Sequence, residues 1–312
     1  MTAPASDPVS PDLPPPELVE VSPGVWAYLQ LDGSWGLNNT GFLVGETGVV
    51  AIDTCFTERR TRGFLEAVRV VTPKPLRTLV NTHHHGDHTH GNWLLPSATI
   101  VGHERCRTDV LATGTAAEAL FPGVDWGEIR VTPPFVTFEE RLTVHVDDLR
   151  VELLAHTPAH TNSDIVAWVP ERRLLFAGDL VFRGGTPFVL MGSVSGAITA
   201  IEGLQRLEPE TIVPGHGPVC GPEALEDQLA YLRFVQEVAA SAAASGLAPL
   251  EAAREADLGR FAEWHDAERL VGNLHRAMAE LDGLAPGADL DILTALGEMV
   301  AYNGGQPLRC LA

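Results

Sequence analysis

The sequence has little positive charge, and lysine is almost missing from it. Lys74 is the only lysine, the first basic residue is Arg59, and the formal net charge of the 312 residues is −20. A surface this acidic repels phosphate backbones, and no block of arginine offsets the repulsion. We therefore expect that nucleic acid is not a partner.

The sequence also lacks the segments that direct a chain into or across a membrane. No charged stretch precedes an apolar one after Met1, and no run approaches the roughly 20 apolar residues that span a bilayer. The cysteines form no CxxC pair, which predicts reduced thiols at Cys55, Cys106, Cys220 and Cys310. We expect a cytoplasmic protein that does not bind membranes.

Composition divides the chain into three parts. Residues 1–16 contain six prolines and almost no large apolar side chains, which predicts a disordered tail. Residues 17–222 hold short apolar runs that alternate with turns and helical patterns, as in a layered α/β catalytic domain. Residues 223–312 have helical spacing alone and predict a helical extension.

Apolar spacing places the main elements. A helix is predicted over Glu58–Val71, and further helices over Leu225–Val238, Leu270–Leu281 and Ile292–Val300. Strands are predicted at Val25–Leu31, Gly41–Val44, Gly48–Asp53, Arg77–Asn81, Thr99–Gly102, Leu142–Val146, Leu149–Leu154, Asp164–Trp168, Leu174–Ala177 and Thr211–Val213. We expect the helical extension to pack against the catalytic domain or against a second subunit in a homodimer. The alternative is that it forms one wall of a substrate pocket.

The strand Arg77–Asn81 runs directly into a cluster of metal-binding side chains, His83-His84-His85-Gly86-Asp87-His88. Imidazole and carboxylate groups are standard zinc ligands, and a catalytic site gathers several of them from separate loops. At a strand end, alternate histidines point to the same side, so His83 and His85 can share one ion. A turn at Gly86 then brings Asp87 and His88 toward a second ion.

Three isolated residues complete the set. His160 lies in a polar loop, Asp179 follows the predicted strand Leu174–Ala177, and His216 lies in a turn between Pro214 and Pro218. Each is a weak signal by itself, but their order after the cluster is a strong one. The neighbouring histidines fall outside the pattern and are predicted not to bind metal: His84, His90 and His156.

The cluster followed by His, Asp and His resembles the metallo-β-lactamase superfamily, whose pattern is HxHxDH and then these three residues. The resemblance covers about residues 20–220 and implies a four-layer αββα sandwich with the metals at one edge. It implies that one zinc is held by His83, His85 and His160, and the second by Asp87, His88 and His216, with Asp179 bridging them. It also implies that Asp53 orients the histidines from outside the ligand set.

A site with two zinc ions favours hydrolysis. Two ions about 3.5–4 Å apart lower the pKa of a shared water to about 7 and polarise a carbonyl group. Asp87 is the candidate for orienting the nucleophile and moving its proton. The substrate class is an ester, thioester, lactone, β-lactam or other amide, or phosphoester. The alternatives are an iron-dependent oxidoreductase acting on a thiol or persulfide, manganese in place of zinc, and a metal-bound interaction protein without catalytic activity.

A narrower resemblance extends over nearly the whole chain. It is to the zinc-hydrolase-like second-ring cyclases of bacterial aromatic polyketide pathways, of the actinorhodin cyclase type. The segments that carry it are Val124–Ile129, Thr186–Phe188 with Gly192-Ser193, Asp257–Ala262, Asp266–Leu270, Asn273–Arg276, Ala301–Gly305 and Cys310–Ala312. The resemblance implies aldol ring closure and thioester cleavage on a small-molecule substrate tethered to a carrier protein.

The chain departs from these cyclases in the loop Gly33–Thr40, which sits where the family has a mobile flap over the metals, and in the proline-rich tail. Substrate choice depends on such a loop. The candidates for lining the substrate pocket are Trp35, Phe188 and Met191.

Overall fold

The computed structural model describes residues 14–312 of the chain. The predicted disordered tail, residues 1–16, lies outside the described residues except for Pro14–Pro16. Those three residues are exposed and have no regular secondary structure.

The first sheet has seven strands in the order of the sequence. They are β1 (Glu17–Ser22), β2 (Val25–Leu29), β3 (Thr40–Val44), β4 (Val49–Ile52), β5 (Leu76–Val80), β6 (Thr99–His103) and β7 (Val136–Phe138). Strands β1 to β4 pair antiparallel, whereas β4 to β7 pair parallel. The parallel strands end at the same edge of the sheet, and the segments that follow β4 and β5 therefore meet there.

The crossover from β4 to β5 is helix α1 (Glu58–Val71), and the predicted bounds of this helix are confirmed. Thr57 caps it by accepting a hydrogen bond from the Arg60 amide, which satisfies one of the free donors of the first turn. Phe64 and Val68 are on its buried face. The helix ends at Val71, and Thr72 is its extended C-cap residue just before Pro73, which cannot continue the helix.

The second sheet has five strands in the order β12-β11-β10-β9-β8. They are β8 (Arg141–Val146), β9 (Leu149–Ala155), β10 (Ile165–Val169), β11 (Leu174–Phe182) and β12 (Thr211–His216). One apolar core lies between the two sheets and draws side chains from both, for example Ile52 from β4 and Leu153 from β9. A second core lies between the first sheet and α1, and a third joins the second sheet to the helices that follow it. The predicted four-layer αββα sandwich is confirmed.

The remaining helices are short in the first part of the chain and longer after it. They are α2 (Gly86–Thr89), α3 (Glu104–Thr113), α4 (Ala117–Leu120), α5 (Val194–Gln205), α6 (Glu223–Ser245), α7 (Pro249–Glu255), α8 (Arg269–Leu281) and α9 (Ile292–Tyr302). Among residues 14–312, no helix combines the length and the apolar composition that crossing a bilayer requires.

Two strands extend further than predicted, and both extensions carry site residues. Strand β11 continues through Asp179 to Phe182, and β12 continues to His216 instead of turning at Pro214. The pairing of β11 with β12 shifts register at Gly178, whose φ is +51°. A glycine tolerates this left-handed conformation, so the strand bends there without ending.

The predicted helical extension is confirmed, and it begins at Glu223 with α6. Its apolar faces pack within the chain, on α5, on the second sheet and on one another. The homodimer through these helices remains a prediction. Strands β1 and β7 and helices α2 to α5 and α7 were not predicted. β7 has only three residues, α3 is mostly polar, and neither pattern rises above that of a loop.

Helix α8 is attached to residues 183–193, the loop that joins β11 to α5, which we call the β11–α5 loop. The Asn273 side chain accepts a hydrogen bond from the Val189 amide (2.9 Å) and donates to the Pro187 carbonyl (2.7 Å) and to the Tyr231 hydroxyl (3.1 Å). All of these groups are buried, so the interaction excludes water and fixes the loop on the helix.

Asn273→Ala is therefore expected to lower the free energy of unfolding by about 3 kcal/mol, because it leaves buried backbone groups without partners. Urea unfolding followed by circular dichroism measures the change. Asn303→Ala is the matched control, since Asn303 is exposed and makes one long hydrogen bond to Pro307 (3.4 Å). Equal unfolding midpoints for the two variants would contradict this account of the attachment.

Candidate metal centre

The histidine cluster lies on the segment that leaves β5 and enters α2. Two buried amide side chains hold this segment in place: Asn81 donates to the His88 carbonyl (3.1 Å) and Asn92 donates to Asn81 Oδ1 (2.8 Å). The Thr54 hydroxyl also donates to the His88 carbonyl (3.1 Å). The segment is thus fixed against the end of the first sheet, and its side chains turn toward the second.

The second sheet supplies the other three predicted residues at the same edge of the sandwich. His160 lies in the loop between β9 and β10, Asp179 lies within β11, and His216 is the last residue of β12. A bridge between Asn38 and His216 joins the two sheets at this point. The structure therefore gathers all seven predicted ligand residues from four separate segments of the chain.

The seven residues form two groups in which the candidate ligand atoms lie within 4.8 Å of one another. One group holds His83, His85, His160 and Asp179, and the other holds Asp87, His88 and His216. This division agrees with the assignment that the family resemblance implied.

The Asp179 carboxylate faces both groups. Its Oδ2 lies 3.3 Å from Nε2 of His160 and 3.3 Å from Nε2 of His216, one residue from each group. The same oxygen lies 3.8 Å from Nε2 of His83, and Oδ1 lies 3.1 Å from Nε2 of His88. This is the position that a bridging carboxylate requires.

Buried atoms without partners show that these residues fit metal ions. Nε2 of His83 and His88 and Oδ1 of Asp179 are buried, and none makes a hydrogen bond of acceptable geometry with residues 14–312. Leaving several such atoms unsatisfied is costly, and a cation between them removes the cost. Four atoms placed tetrahedrally about 2.0–2.1 Å from a zinc ion lie about 3.3 Å apart, close to the spacing around Asp179.

Hydrogen bonds on the outer ring nitrogens orient the histidines. Nδ1 of His160 donates to the Phe188 carbonyl, and Nδ1 of His216 donates to the Gly33 carbonyl (3.1 Å). Because Nδ1 of each ring is engaged by a carbonyl, Nε2 is the nitrogen that faces the site and is available to a metal.

Asp53 orients a histidine of each group. Its carboxylate accepts hydrogen bonds from His88 Nδ1 (2.8 Å) and from the Thr82 hydroxyl (2.7 Å). Because the Thr82 hydroxyl donates its hydrogen to Asp53, its oxygen accepts a hydrogen bond from His83 Nδ1 at 3.1 Å. Asp53 thus acts on His88 directly and on His83 through Thr82. The predicted role for Asp53 has the geometry it needs, and Thr82 is an addition that sequence reasoning missed.

The site favours positive charge. Burial raises the pKa of Asp179, but the surrounding histidines outweigh burial and hold it well below its usual range. Burial lowers the pKa of His216, but Asp179 and Asp87 outweigh burial and raise it to about 9. Burial lowers the pKa of His83 and His85, which keeps both rings neutral and able to bind a metal.

A cavity of about 410 Å³ opens onto both groups. Asp87 and Asp179 lie at its polar end, and most of the remaining lining is apolar or aromatic. All three predicted pocket residues line it: Trp35, Phe188 and Met191. The volume is in the usual range for a small-molecule site.

Trp35 is held in place by the helical extension. Its Nε1 donates to Glu268 Oε1 (2.8 Å), and the Arg269 guanidinium lies 4.0 Å from the centre of its ring. Its ring also meets that of Phe188 edge to face at 5.1 Å. The loop Gly33–Thr40 that carries Trp35 is anchored by Asn39, which donates to the carbonyls of Pro214 (2.9 Å) and Gly217 (2.7 Å).

The helical extension also contributes directly to the cavity, which was the alternative left open by the sequence. Arg269 on α8, three residues of α9 and the segment after α9 line it: Ile292, Leu293, Leu296 and Leu308. Sequence reasoning missed these residues. Helical spacing identified the helices, but it does not say which face meets a cavity.

The histidines predicted not to bind metal lie outside both groups. His84 Nδ1 lies 3.2 Å from the Ser163 hydroxyl, and His90 stacks on Phe56 with ring centres 5.5 Å apart. Burial lowers the pKa of His156, with a smaller contribution from Arg206. His84 and His90 do line the cavity, beyond the candidate ligands.

Comparison with known proteins identifies the shared part of the fold. Residues 33–216 match the family described as the metallo-beta-lactamase superfamily. The chain is 29% identical over 184 residues to the 2,4-dinitroanisole O-demethylase subunit alpha of Nocardioides sp. (strain JS1661), covering 58% of this chain and 53% of that one. It is 28% identical over 153 residues to a hydroxyacylglutathione hydrolase of Rhodospirillum rubrum, covering 49% and 50%. The chain thus spans about half the length of these two relatives.

Solved structures show the same fold. A metallo-beta-lactamase from Pontibacter korlensis superposes with a TM-score of 0.59 at 21% identity, covering 70% of this chain and 99% of that one. The DIM-1 metallo-beta-lactamase superposes with a TM-score of 0.57 at 20% identity, covering 71% and 99%.

Asp53→Asn is expected to weaken metal binding by about 10- to 100-fold, since an amide is a poorer acceptor for His88 and Thr82. Competition with a chromogenic chelator measures the affinity, and circular dichroism checks the fold. Asp148→Asn, in the exposed turn between β8 and β9, is the control and should bind metal like the unmodified chain. Unchanged affinity in Asp53→Asn would rule out this role for the buried carboxylate.

Proposed function

Because the chain belongs to the metallo-β-lactamase superfamily, we propose that it is a two-zinc hydrolase of an ester or thioester with a large, neutral, aromatic acyl group. The observation that carries the proposal is the position of Asp179 between two complete ligand groups at the end of an apolar cavity. Superfamily membership supports a metal-dependent hydrolase. Two zinc ions and the aromatic substrate are the proposed additions.

The residues of the site have two roles, to hold the metal ions and to orient the histidine rings. His83, His85 and His160 would hold one ion, Asp87, His88 and His216 the other, and Asp179 would contact both. Zinc ions bound there supply a water of lowered pKa and polarise a carbonyl group. Asp53, Thr82 and the carbonyls of Gly33 and Phe188 keep the histidine rings aimed at the centre.

Asp87 is the proposed catalytic residue. Its carboxylate lines the cavity, and its Oδ2 lies 3.3 Å from Nε2 of His216 and 3.9 Å from Nε2 of His88. It therefore stands between the ligand set and the space that a substrate would occupy. From there it can orient the attacking water, accept its proton and pass the proton to the leaving group.

The cavity lining favours a neutral substrate. Of the described residues that line it, the arginines are Arg130 and Arg269, and each is already paired with a carboxylate. Arg130 contacts Glu128 at 2.7 Å, and Arg269 contacts Asp266 at 2.8 Å. A substrate carboxylate, such as that of a penicillin, would compete with these pairs. A neutral ring system instead finds aromatic neighbours in Trp35, Phe56, Phe121, Phe182 and Phe188.

The finer proposal is that the substrate is an aromatic polyketide thioester, presented by a carrier protein in the cytoplasm. It rests on the resemblance to the second-ring cyclases, and two observations support it. The segments that carry the resemblance include Arg269 and Phe188, which line the cavity. Two relatives are named for an aromatic ether, 2,4-dinitroanisole, and for a thioester, hydroxyacylglutathione. Aldol ring closure and thioester cleavage both develop negative charge on a carbonyl oxygen, so one site can serve both reactions.

The test uses the full-length, zinc-loaded chain and an aromatic polyketide thioester mimic, with mass spectrometry of the products. Elemental analysis should find close to two zinc ions in each chain, and the product should be cyclised or cleaved at the thioester. Asp87→Asn should lower kcat by about 10²- to 10⁴-fold, the usual contribution of a general acid–base group. Asp179→Ala should lose both metal and activity.

Asp148→Asn is the control for both variants and should match the unmodified chain. Full activity in Asp179→Ala would contradict the two-metal site. Iron in the purified protein, together with oxygen consumption on a thiol substrate, would show an oxidoreductase instead. Unchanged polyketide mimic with turnover of simpler aryl thioesters would contradict the finer proposal alone.

A further inference from the structure

We propose that helix α9 forms the wall of the cavity that determines substrate choice. On this wall, Leu296 together with Ile292 sets the size of the largest aromatic group that the site accepts. The inference rests on the proposed function and deepens it by assigning substrate choice to the helical extension. Both residues line the cavity that opens onto the metal groups.

This wall lies outside the part of the chain that the superfamily shares. The family match ends at residue 216, whereas α9 begins at Ile292. The solved relatives are covered over 97–99% of their own lengths while only 70–72% of this chain is covered. The shared fold therefore supplies the metal centre, and the extension supplies a side of the cavity that those structures do not share.

Helix α9 has two functional faces. Ile292 and Leu296 are one turn apart and meet the cavity together with Leu190 and Met191 of the β11–α5 loop. Ala295 and Met299 lie on the adjacent face, about 60° further around the helix, and are fully buried in the core shared with α8. The helix thus has one face in the core, and beside it the half-buried Ile292 and Leu296 line the cavity.

The wall is held rigidly. A Cβ on Gly272 of α8 would lie 3.0 Å from Phe188 Cε2 and 3.2 Å from Met299 Sδ, so α8 fills the space between the β11–α5 loop and α9. His275 Nε2 lies 2.8 Å from Glu298 Oε2, and Arg254 donates to the Ala301 carbonyl at 3.0 Å. Because the helix cannot retreat easily, the size of its cavity-facing side chains determines the space for a substrate.

The rim of the cavity is open. Leu120 and Val131, and Leu293 on α9 itself, line the cavity and are 37%, 43% and 80% exposed, respectively. A long substrate can project past these residues into solvent. The site should therefore discriminate substrates by the width of the group that packs against Leu296, and not by their total length.

The test compares N-acetylcysteamine thioesters of benzoic, 2-naphthoic and 9-anthracenecarboxylic acid as substrates of the zinc-loaded full chain. Leu296→Trp should lower kcat/KM for the anthracene thioester at least tenfold relative to the benzoyl thioester, and Leu296→Ala should raise that ratio. Binding of neutral 9-anthracenecarboxamide, followed by its fluorescence with and without zinc, should weaken in Leu296→Trp and tighten in Leu296→Ala.

Gly297→Ala is the matched control, because a Cβ at this neighbouring position of α9 meets nothing within 4 Å. This variant should leave both the kcat/KM ratio of the two thioesters and the binding of the amide unchanged. Equal kcat/KM ratios and equal binding of the amide in all variants would contradict the proposal that Leu296 bounds the cavity. If the zinc-loaded chain hydrolyses none of the thioesters, the proposed function fails; the order of amide affinities then still decides whether Leu296 bounds the cavity.

Discussion

The structure depends on one costly arrangement: the carboxylate of Asp179 is buried among four imidazole rings at the junction of the two sheets. A buried carboxylate needs positive charge around it, and the inward ring nitrogens need an acceptor of their lone pairs. Divalent cations satisfy both needs at once. Much of the surrounding structure serves to hold these groups in place, because a site built from separate segments has no local stiffness of its own.

The two sheets contribute differently to that support. The first sheet provides Asp53 and Thr82, which fix His88 and His83 through buried hydrogen bonds. The second sheet places Asp179 in the middle of a strand that is bent at Gly178. A residue within a paired strand moves less than one in a loop, which suits a carboxylate that must face two groups simultaneously.

The helical extension is mechanically part of the site. The Phe188 carbonyl orients His160, and Phe188 belongs to the loop that Asn273 and Arg276 of α8 hold by its backbone. Trp35 is fixed from the same helix through Glu268 and Arg269. The extension therefore contacts both the support of the metal centre and the aromatic end of the cavity. One rigid unit thus positions the substrate and the metal-binding residues together.

Local patterns in the sequence were enough for the longer elements and, together with the family pattern, for the ligands. The cap at Thr57 and the stop before Pro73 define α1, and both signals act within a few residues. Four candidate ligands within six residues identify the cluster, since no ordinary packing arrangement explains them. The continuation of β11 through Asp179 was not predictable, because a Gly-Asp pair after an apolar run usually ends a strand. Only pairing with β12 shows that the strand continues.

The sequence by itself thus determined the fold class, the three longer helices of the extension and the identity of the residues that converge. Residue type, local spacing and the resemblance to a known family carry that information. Tertiary structure alone decided that Thr82 links His83 to Asp53, that α8 holds the loop behind His160, and that Ile292, Leu296 and Leu308 close the cavity. Those contacts join residues far apart in the chain through shape and burial, and no short-range pattern encodes which surfaces meet.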